Sequence, residues 1–166
     1  LTIIQDARRI DLHIELGNGK SHKHRVVTAM LDLPKKKDEL REIFGKSTVP
    51  DISDFTGEYY VNMLTGIPSL RRFGHRKRFY TVGDRVLGHN IVWRTWGHFT
   101  IYEDVFEEDG LGVTMLNYNV DENTFVTKGL RDQVRCIEPG VLYLGRANHM
   151  LRGRMRFLGY FTLSRT

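Results

Sequence analysis

Four polar side chains stand in runs that otherwise alternate like buried strands. His75 and Lys77 lie between Phe73 and Phe79, His89 between Leu87 and Ile91, and Tyr118 between Leu116 and Val120. Residues two apart on a strand share a face, so each of these groups is in phase with apolar neighbours. A lysine enclosed by phenylalanines loses hydration, and its charged form becomes disfavoured. Such a lysine can act as a base, form a Schiff base or hydrogen-bond an enolate oxygen. Histidine suits proton transfer near neutrality, and a tyrosine hydroxyl suits donation to a carbonyl. Lys77, His75, His89 and Tyr118 are therefore the candidate catalytic residues. Plainer alternatives stand beside each: Lys77 can snorkel to a rim, His89 can be a satisfied structural histidine, and Tyr118 can pack its ring with its hydroxyl in water. A single bulge would also reverse the phase of a whole strand.

The candidate substrate-binding residues come from the neighbouring runs. Asp132 is in phase with Leu130, Val134 and Cys136. Turned inward, it would pair with a basic group such as Lys77 or Arg146; turned outward, it makes a surface ion pair of little energy. Asn90 has the phase opposite to His89, so it becomes the inward hydrogen-bonding group if that strand is reversed. Tyr60, Met63, Phe73, Phe79, Trp93, Tyr143 and Tyr160 supply apolar lining for a pocket with few polar anchors, the common make-up of small-molecule sites.

The elements that must position these residues fall into two regimes on either side of Pro50. Before it the spacing is helical: Ile3, Ala7, Ile10 and Ile14 share a helical face, although Ile10, Leu12, Ile14 and Leu16 also fit a strand. Ser21 is placed to cap a second helix carrying Val26, Val27, Met30 and Leu31, which Pro34 ends. A third helix is expected over Lys36–Gly45, with Leu40, Ile43 and Phe44 inward and Gly45 as its stop. After Gly57 the chain reads as short strands near Glu58–Leu64, Phe73–Thr81, Arg85–Arg94, His98–Phe106, Gly112–Val120, Leu130–Ile137, Val141–Met150 and Arg154–Ser164. Val, Ile, Tyr, Phe, Trp and Thr gather in these runs, and Gly, Pro, Asn and Asp separate them. Only three alanines occur, at 7, 29 and 147, which argues against a helical bundle. The fold class expected is mainly β: eight strands in an antiparallel up-and-down barrel over residues 55–164, behind a helical lead-in over residues 1–50. The longer connection Asp121–Gly129 is its one irregular joint.

A helical segment followed by Phe55-Thr56-Gly57-Glu58-Tyr59-Tyr60-Val61 and a barrel-length set of strands resembles a calycin, the lipocalin-like barrel superfamily. Many lipocalins open their first strand with glycine, one residue and an aromatic; Gly57-Glu58-Tyr59 has that pattern, with tyrosine where tryptophan is usual. The paired cysteines and leader of secreted lipocalins are missing, so the chain is more similar to intracellular, cofactor-free barrels of natural-product pathways, some of which are cyclases. The resemblance implies an internal ligand cavity. It transfers no catalytic residue, because no residue-level motif matches.

Composition sets the remaining bounds. A chain of 166 residues, 40% hydrophobic and 11% aromatic, suits a single domain with a real core rather than a disordered segment. One cysteine, Cys136, excludes an internal disulfide framework and any multi-thiolate zinc site. His89 and His98 fall on consecutive strands but lack a third ligand, so no metal is expected. Phosphate-binding loop, dinucleotide fingerprint and serine elbow are all missing from the sequence, and no cofactor is expected. No apolar run spans a bilayer and no leader is apparent, which points to a cytoplasmic protein without a membrane partner. The net charge of +5 comes from Arg71, Arg72, Arg76, Lys77 and Arg78, and from Arg146, Arg152, Arg154 and Arg156. These read as solvated edges, and nucleic acid is not expected as the partner. The favoured function is a cofactor-independent isomerase or cyclase acting on an apolar, conjugated or carbonyl-bearing small molecule. The alternatives are a carrier of an apolar ligand, and an adaptor that binds nucleic acid or an acidic partner through the basic clusters.

Overall fold

Eight strands close on themselves in sequence order, each antiparallel to the next, and the last pairs with the first. The computed structural model describes residues 33–66 and 75–165. The strands are β1 (Gly57–Met63), β2 (His75–Val82), β3 (Arg85–Ile91), β4 (Thr95–Val105), β5 (Gly112–Asn117), β6 (Leu130–Glu138), β7 (Leu142–Leu151) and β8 (Arg154–Arg165). Closure leaves no sheet edge, and the strand order is the expected one. A helix, α1 (Lys37–Lys46), precedes the barrel, and one short turn of helix, α2 (Phe125–Lys128), lies between β5 and β6. The two helices expected before Pro34 fall outside the described residues, as does Phe73.

Boundaries move where local hydrogen bonds outbid the pattern. Gly45 does not stop α1, which runs on to Lys46. Ser47 closes the last turn instead: its N–H bonds to Ile43 O and Phe44 O, and its hydroxyl donates to Ile43 O at 2.8 Å. β5 ends at Asn117, three residues short of expectation. Asn123 takes over the ladder there, donating from Nδ2 to Tyr118 O at 2.7 Å and to His98 O at 2.6 Å, while its Oδ1 accepts from the His98 N–H.

An up-and-down barrel places alternate connections at opposite ends, and the two ends of this interior are built differently. At the end of the β2–β3, β4–β5 and β6–β7 turns, the segment before β1 makes a 3-10 turn (Ile52–Asp54) and drives Phe55 into the barrel. Phe55 packs on Tyr59, Phe79 and Tyr143 with ring centroids 5.0–6.1 Å apart. Tyr59 anchors this plug by donating to Asp54 O at 2.9 Å. Toward the other end, Phe99 and Phe161 lie across Gly88 and Gly145. A Cβ on either glycine would stand 2.4 Å or 2.1 Å from the ring, so no larger residue fits without displacement.

The outer wall of the barrel is also apolar on one side, where α1 lies. Leu40 and Phe44 pack with Phe106, Val113, Leu144 and Tyr160. Arg135 on β6 is buried in this layer and grips Asp109 with both terminal nitrogens, at 2.7 and 2.9 Å. It also donates to Phe44 O and Gly112 O, which ties α1 to the β4–β5 loop and the sheet.

Candidate functional site: a buried ion pair beneath a barrel cavity

β2 and β3 face each other with Lys77 opposite Asn90, while β5 and β6 align Leu116 with Asp132. Inward residues from both strand pairs meet across the interior. Lys77 Nζ donates to Asn90 Oδ1 at 2.8 Å, to the Tyr118 hydroxyl at 2.5 Å and to Asp132 Oδ2 at 3.1 Å. Tyr118 in turn donates to Asp132 Oδ2 at 2.9 Å. All four residues are buried. The rings of Phe99, Tyr118 and Phe161 stand 5.2–5.5 Å from the ammonium nitrogen, so the cation also faces aromatic surface.

Asn90 is held by an unusual neighbour. Gly97 has φ +57, which favours glycine, and a Cβ there would come within 2.6 Å of Asn90 Nδ2. The freed space lets Asn90 Nδ2 donate to Gly97 O at 3.3 Å. That bond fixes which way the amide points and turns its oxygen toward Lys77.

The electrostatics follow from burial. Desolvation pulls the Lys77 ammonium below the usual lysine value, and the charge and hydrogen bond of Asp132 partly offset it. Burial pushes the Tyr118 phenol well above its ordinary value, and the negative charge of Asp132 adds to the effect. Tyr118 is thus held as a neutral donor. Both bonds that Asp132 receives fall on Oδ2. A carboxylate offers about four acceptor sites on its two oxygens, so Oδ1 is the atom left for a ligand.

Over this polar floor lies a cavity of about 220 Å³. Val61, Met63, Val92, Leu130, Ala147 and Phe161 make its apolar walls, with His75, Trp93, Trp96 and Leu158 also lining it. Ligand sites for drug-sized molecules run to roughly 300–1,000 Å³, so this cavity has room only for something smaller. Two wall residues break strict alternation. Leu158 is the extra residue where β8 bulges between Phe157 and Gly159, and Trp96 precedes the left-handed Gly97. Neither follows from a period of two, although Gly97 beside a tryptophan is the kind of signal that marks such a break.

The candidates named from the sequence divide as follows. Lys77, Tyr118, Asp132 and Asn90 form the floor, and His75, Met63 and Trp93 line the cavity. His89 does not join them. β3 alternates without a break, and its inward face is the one that carries Gly88 and Asn90, opposite Phe79 and Lys77 of β2, which leaves His89 outside against Tyr80 and His98, ring centroids 5.6 Å from each. Burial lowers its pKa, and charge interactions with His98 and Arg78 act in the same direction. Tyr60 also points outward and is 54% exposed, because Tyr59 takes the inward position. Phe79 and Tyr143 are interior but belong to the aromatic plug. Tyr160 sits in the outer layer under α1, where Phe44 and Phe157 meet its ring. Arg146 is outside as well, bound to Glu108 at 2.6 Å and flanked by Phe106 and Phe157. The outer apolar layer explains both misplacements: β7 and β8 carry apolar residues on both faces, so alternation cannot tell inside from outside.

Neither a family model nor a curated protein sequence matches this chain. Among solved structures it is similar to one described as a protein from Thermomonospora curvata, with a TM-score of 0.57 and 15% identity over 88% of this chain and 99% of that one. At that identity the likeness is one of fold: a closed eight-stranded antiparallel barrel.

Proposed function

We propose that the protein is a cofactor-independent enzyme that moves protons on a small, mostly apolar, carbonyl-bearing molecule, in an isomerisation or cyclisation. The observation that carries this reading is Lys77, buried and ion-paired with Asp132 at the floor of an apolar cavity. Burying an ion pair gains little stability over packed hydrophobic residues, so one facing open space calls for a reason other than folding. The substrate's apolar body would lie along Met63, Trp96 and Phe161. Its carbonyl oxygen would take a hydrogen bond from Lys77 or Tyr118, in exchange for one of their present contacts. Charge building on that oxygen as an enolate forms is stabilised most where water is excluded. The Asp132 carboxylate is the base that removes the proton beside the carbonyl and returns it elsewhere. Lys77 holds the Asp132 carboxyl in place through their contact at 3.1 Å, and chemistry of this kind needs only side chains. A closed eight-stranded antiparallel barrel is compatible with a small ligand held inside it.

A second reading has its own observation. All three ammonium hydrogens of Lys77 have acceptors within the protein. A self-contained network of this kind suits a carrier that recognises one polar group of its ligand without reacting with it. Deuterium exchange separates the two. Apolar ketones incubated with the protein in heavy water should gain deuterium beside the carbonyl, and Asp132→Asn should lose the exchange while still binding. Binding without exchange in the wild type would leave the carrier.

A further inference from the structure

We propose that the mouth of the barrel docks on a membrane surface bearing anionic headgroups. The cavity opens toward the end that carries the β1–β2, β3–β4, β5–β6 and β7–β8 connections, as its lining by Met63, Val92, Trp93 and Leu130 requires. The most exposed large hydrophobic residues of the described structure lie on these connections: Phe125 is 92% exposed, Trp93 85% and Val126 71%. Leu151, at the β7–β8 tip, and Trp96, at the start of β4, extend the same set. Water-facing apolar side chains scattered singly mean little, but several gathered around one opening mark a contact surface.

Charge identifies the occupant. Around the same opening stand the cations Arg94, Lys128, Arg152, Arg154 and Arg156, against the acids Asp121 and Glu122. Lys128 and Asp121 already pair with each other at 3.2 Å. At the opposite end the β4–β5 hairpin carries Glu103, Asp104, Glu107, Glu108 and Asp109, of which Asp109 is paired with Arg135 and Glu108 with Arg41 and Arg146. The exposed apolar residues of that end, Val82, Val105 and Leu111, are aliphatic, whereas the projecting aromatic rings and the arginines gather at the end where the cavity opens. Tryptophan and phenylalanine that insert at headgroup depth, flanked by arginine and lysine, are the composition of an interfacial contact. An acidic protein would satisfy the cations but not the projecting aromatics. A second copy would bring like charge against like.

Such docking needs no spanning element, and among the described residues no helix is long and apolar enough to cross a bilayer. It would let an apolar ligand pass between lipid and cavity without crossing water. The inference stands whether the cavity performs chemistry or only carries its ligand.

Both tryptophans of the chain, Trp93 and Trp96, lie at this mouth, so intrinsic fluorescence reads the contact directly. Vesicles of phosphatidylcholine mixed with phosphatidylglycerol should shift the emission to the blue and sediment the protein, and added salt should reverse both. Arg94→Glu/Arg152→Glu should weaken binding by about tenfold or more. Phe125→Ser/Val126→Ser should do the same, and because both residues are exposed the variant should keep the wild-type thermal midpoint. Unchanged emission with these vesicles overturns the proposal. So does equal binding to phosphatidylcholine alone, or a dimer in sedimentation velocity that Phe125→Ser/Val126→Ser dissolves.

Discussion

The two ends of the barrel interior solve the same packing problem in opposite ways. At one end Phe55, Tyr59, Phe79 and Tyr143 fill the space with rings in contact, and their polar atoms go to local backbone: Tyr59 to Asp54 O, and the Tyr143 hydroxyl to the Gly140 N–H. At the other end Lys77 from β2, Asn90 from β3, Tyr118 just past β5 and Asp132 from β6 bond to one another and leave about 220 Å³ open above them. A barrel of eight strands is just wide enough for side chains to fill, so the open end is a departure rather than a necessity. The closed end maintains the fold. The open end gives up apolar contact and desolvates charge, the usual mark of a site kept for a ligand.

Breaking each end should show this difference. Phe79→Ala in the plug removes a buried ring and should cost about 3–5 kcal/mol in urea unfolding. Asp132→Ala should cost a similar amount, because it leaves the Lys77 charge buried without its partner. The sharper comparison replaces the whole network. Lys77→Met/Tyr118→Phe/Asp132→Leu should be as stable as wild type or more so, by up to about 4 kcal/mol, whereas no combination of smaller residues in the plug should be neutral. A large loss of stability in that triple variant would make the network a structural element.

Proton linkage offers a finer test. Unfolded lysine holds its proton up to about its ordinary value of 10.5, while native Lys77 releases it at lower pH. Within that window unfolding takes up a proton, so the stability contribution of Lys77 rises with pH toward the unfolded value. The slope of unfolding free energy against pH on the alkaline side of neutrality should therefore be more positive in the wild type than in the triple variant. Gly97→Ala should be milder, about 1–3 kcal/mol, from a strained positive φ and collision with Asn90. Its ligand affinity should fall as well, since Asn90 would turn away from Lys77. Tyr60→Ala should be smallest, within about 0.5 kcal/mol and without effect on binding, because its side chain lies outside the barrel.

Legibility differed between these regions for physical reasons. Turn residues separate most of the strands, so element order is legible in the local sequence, but the β3–β4 connection is Val92-Trp93-Arg94, which has no turn residue and reads as a continuation of the strand. Phase was readable on β2 and β6, where apolar residues fall on one parity and put Lys77 and Asp132 among them. It was ambiguous wherever both faces are covered. Tyr59 and Tyr60 are adjacent and alike, and Tyr160 and Phe161 differ only in which layer each enters. On β3 the inward face carries Gly88 and Asn90 while Leu87 and Ile91 lie on the other face with His89, so following the larger apolar residues puts His89 inside. The plug by Phe55 and the tie by Asn123 are long-range packing, and their short motifs have no periodic signal.

Binding of two probes of the same shape tests the account most directly: a small aryl ketone, and the hydrocarbon in which a methylene replaces its carbonyl. Wild-type protein should bind the ketone more tightly, and Lys77→Met/Tyr118→Phe/Asp132→Leu should reverse the preference while keeping the fold. Equal affinity for the two probes in both proteins would mean that the buried network does not face the ligand, and would contradict the assignment of the site.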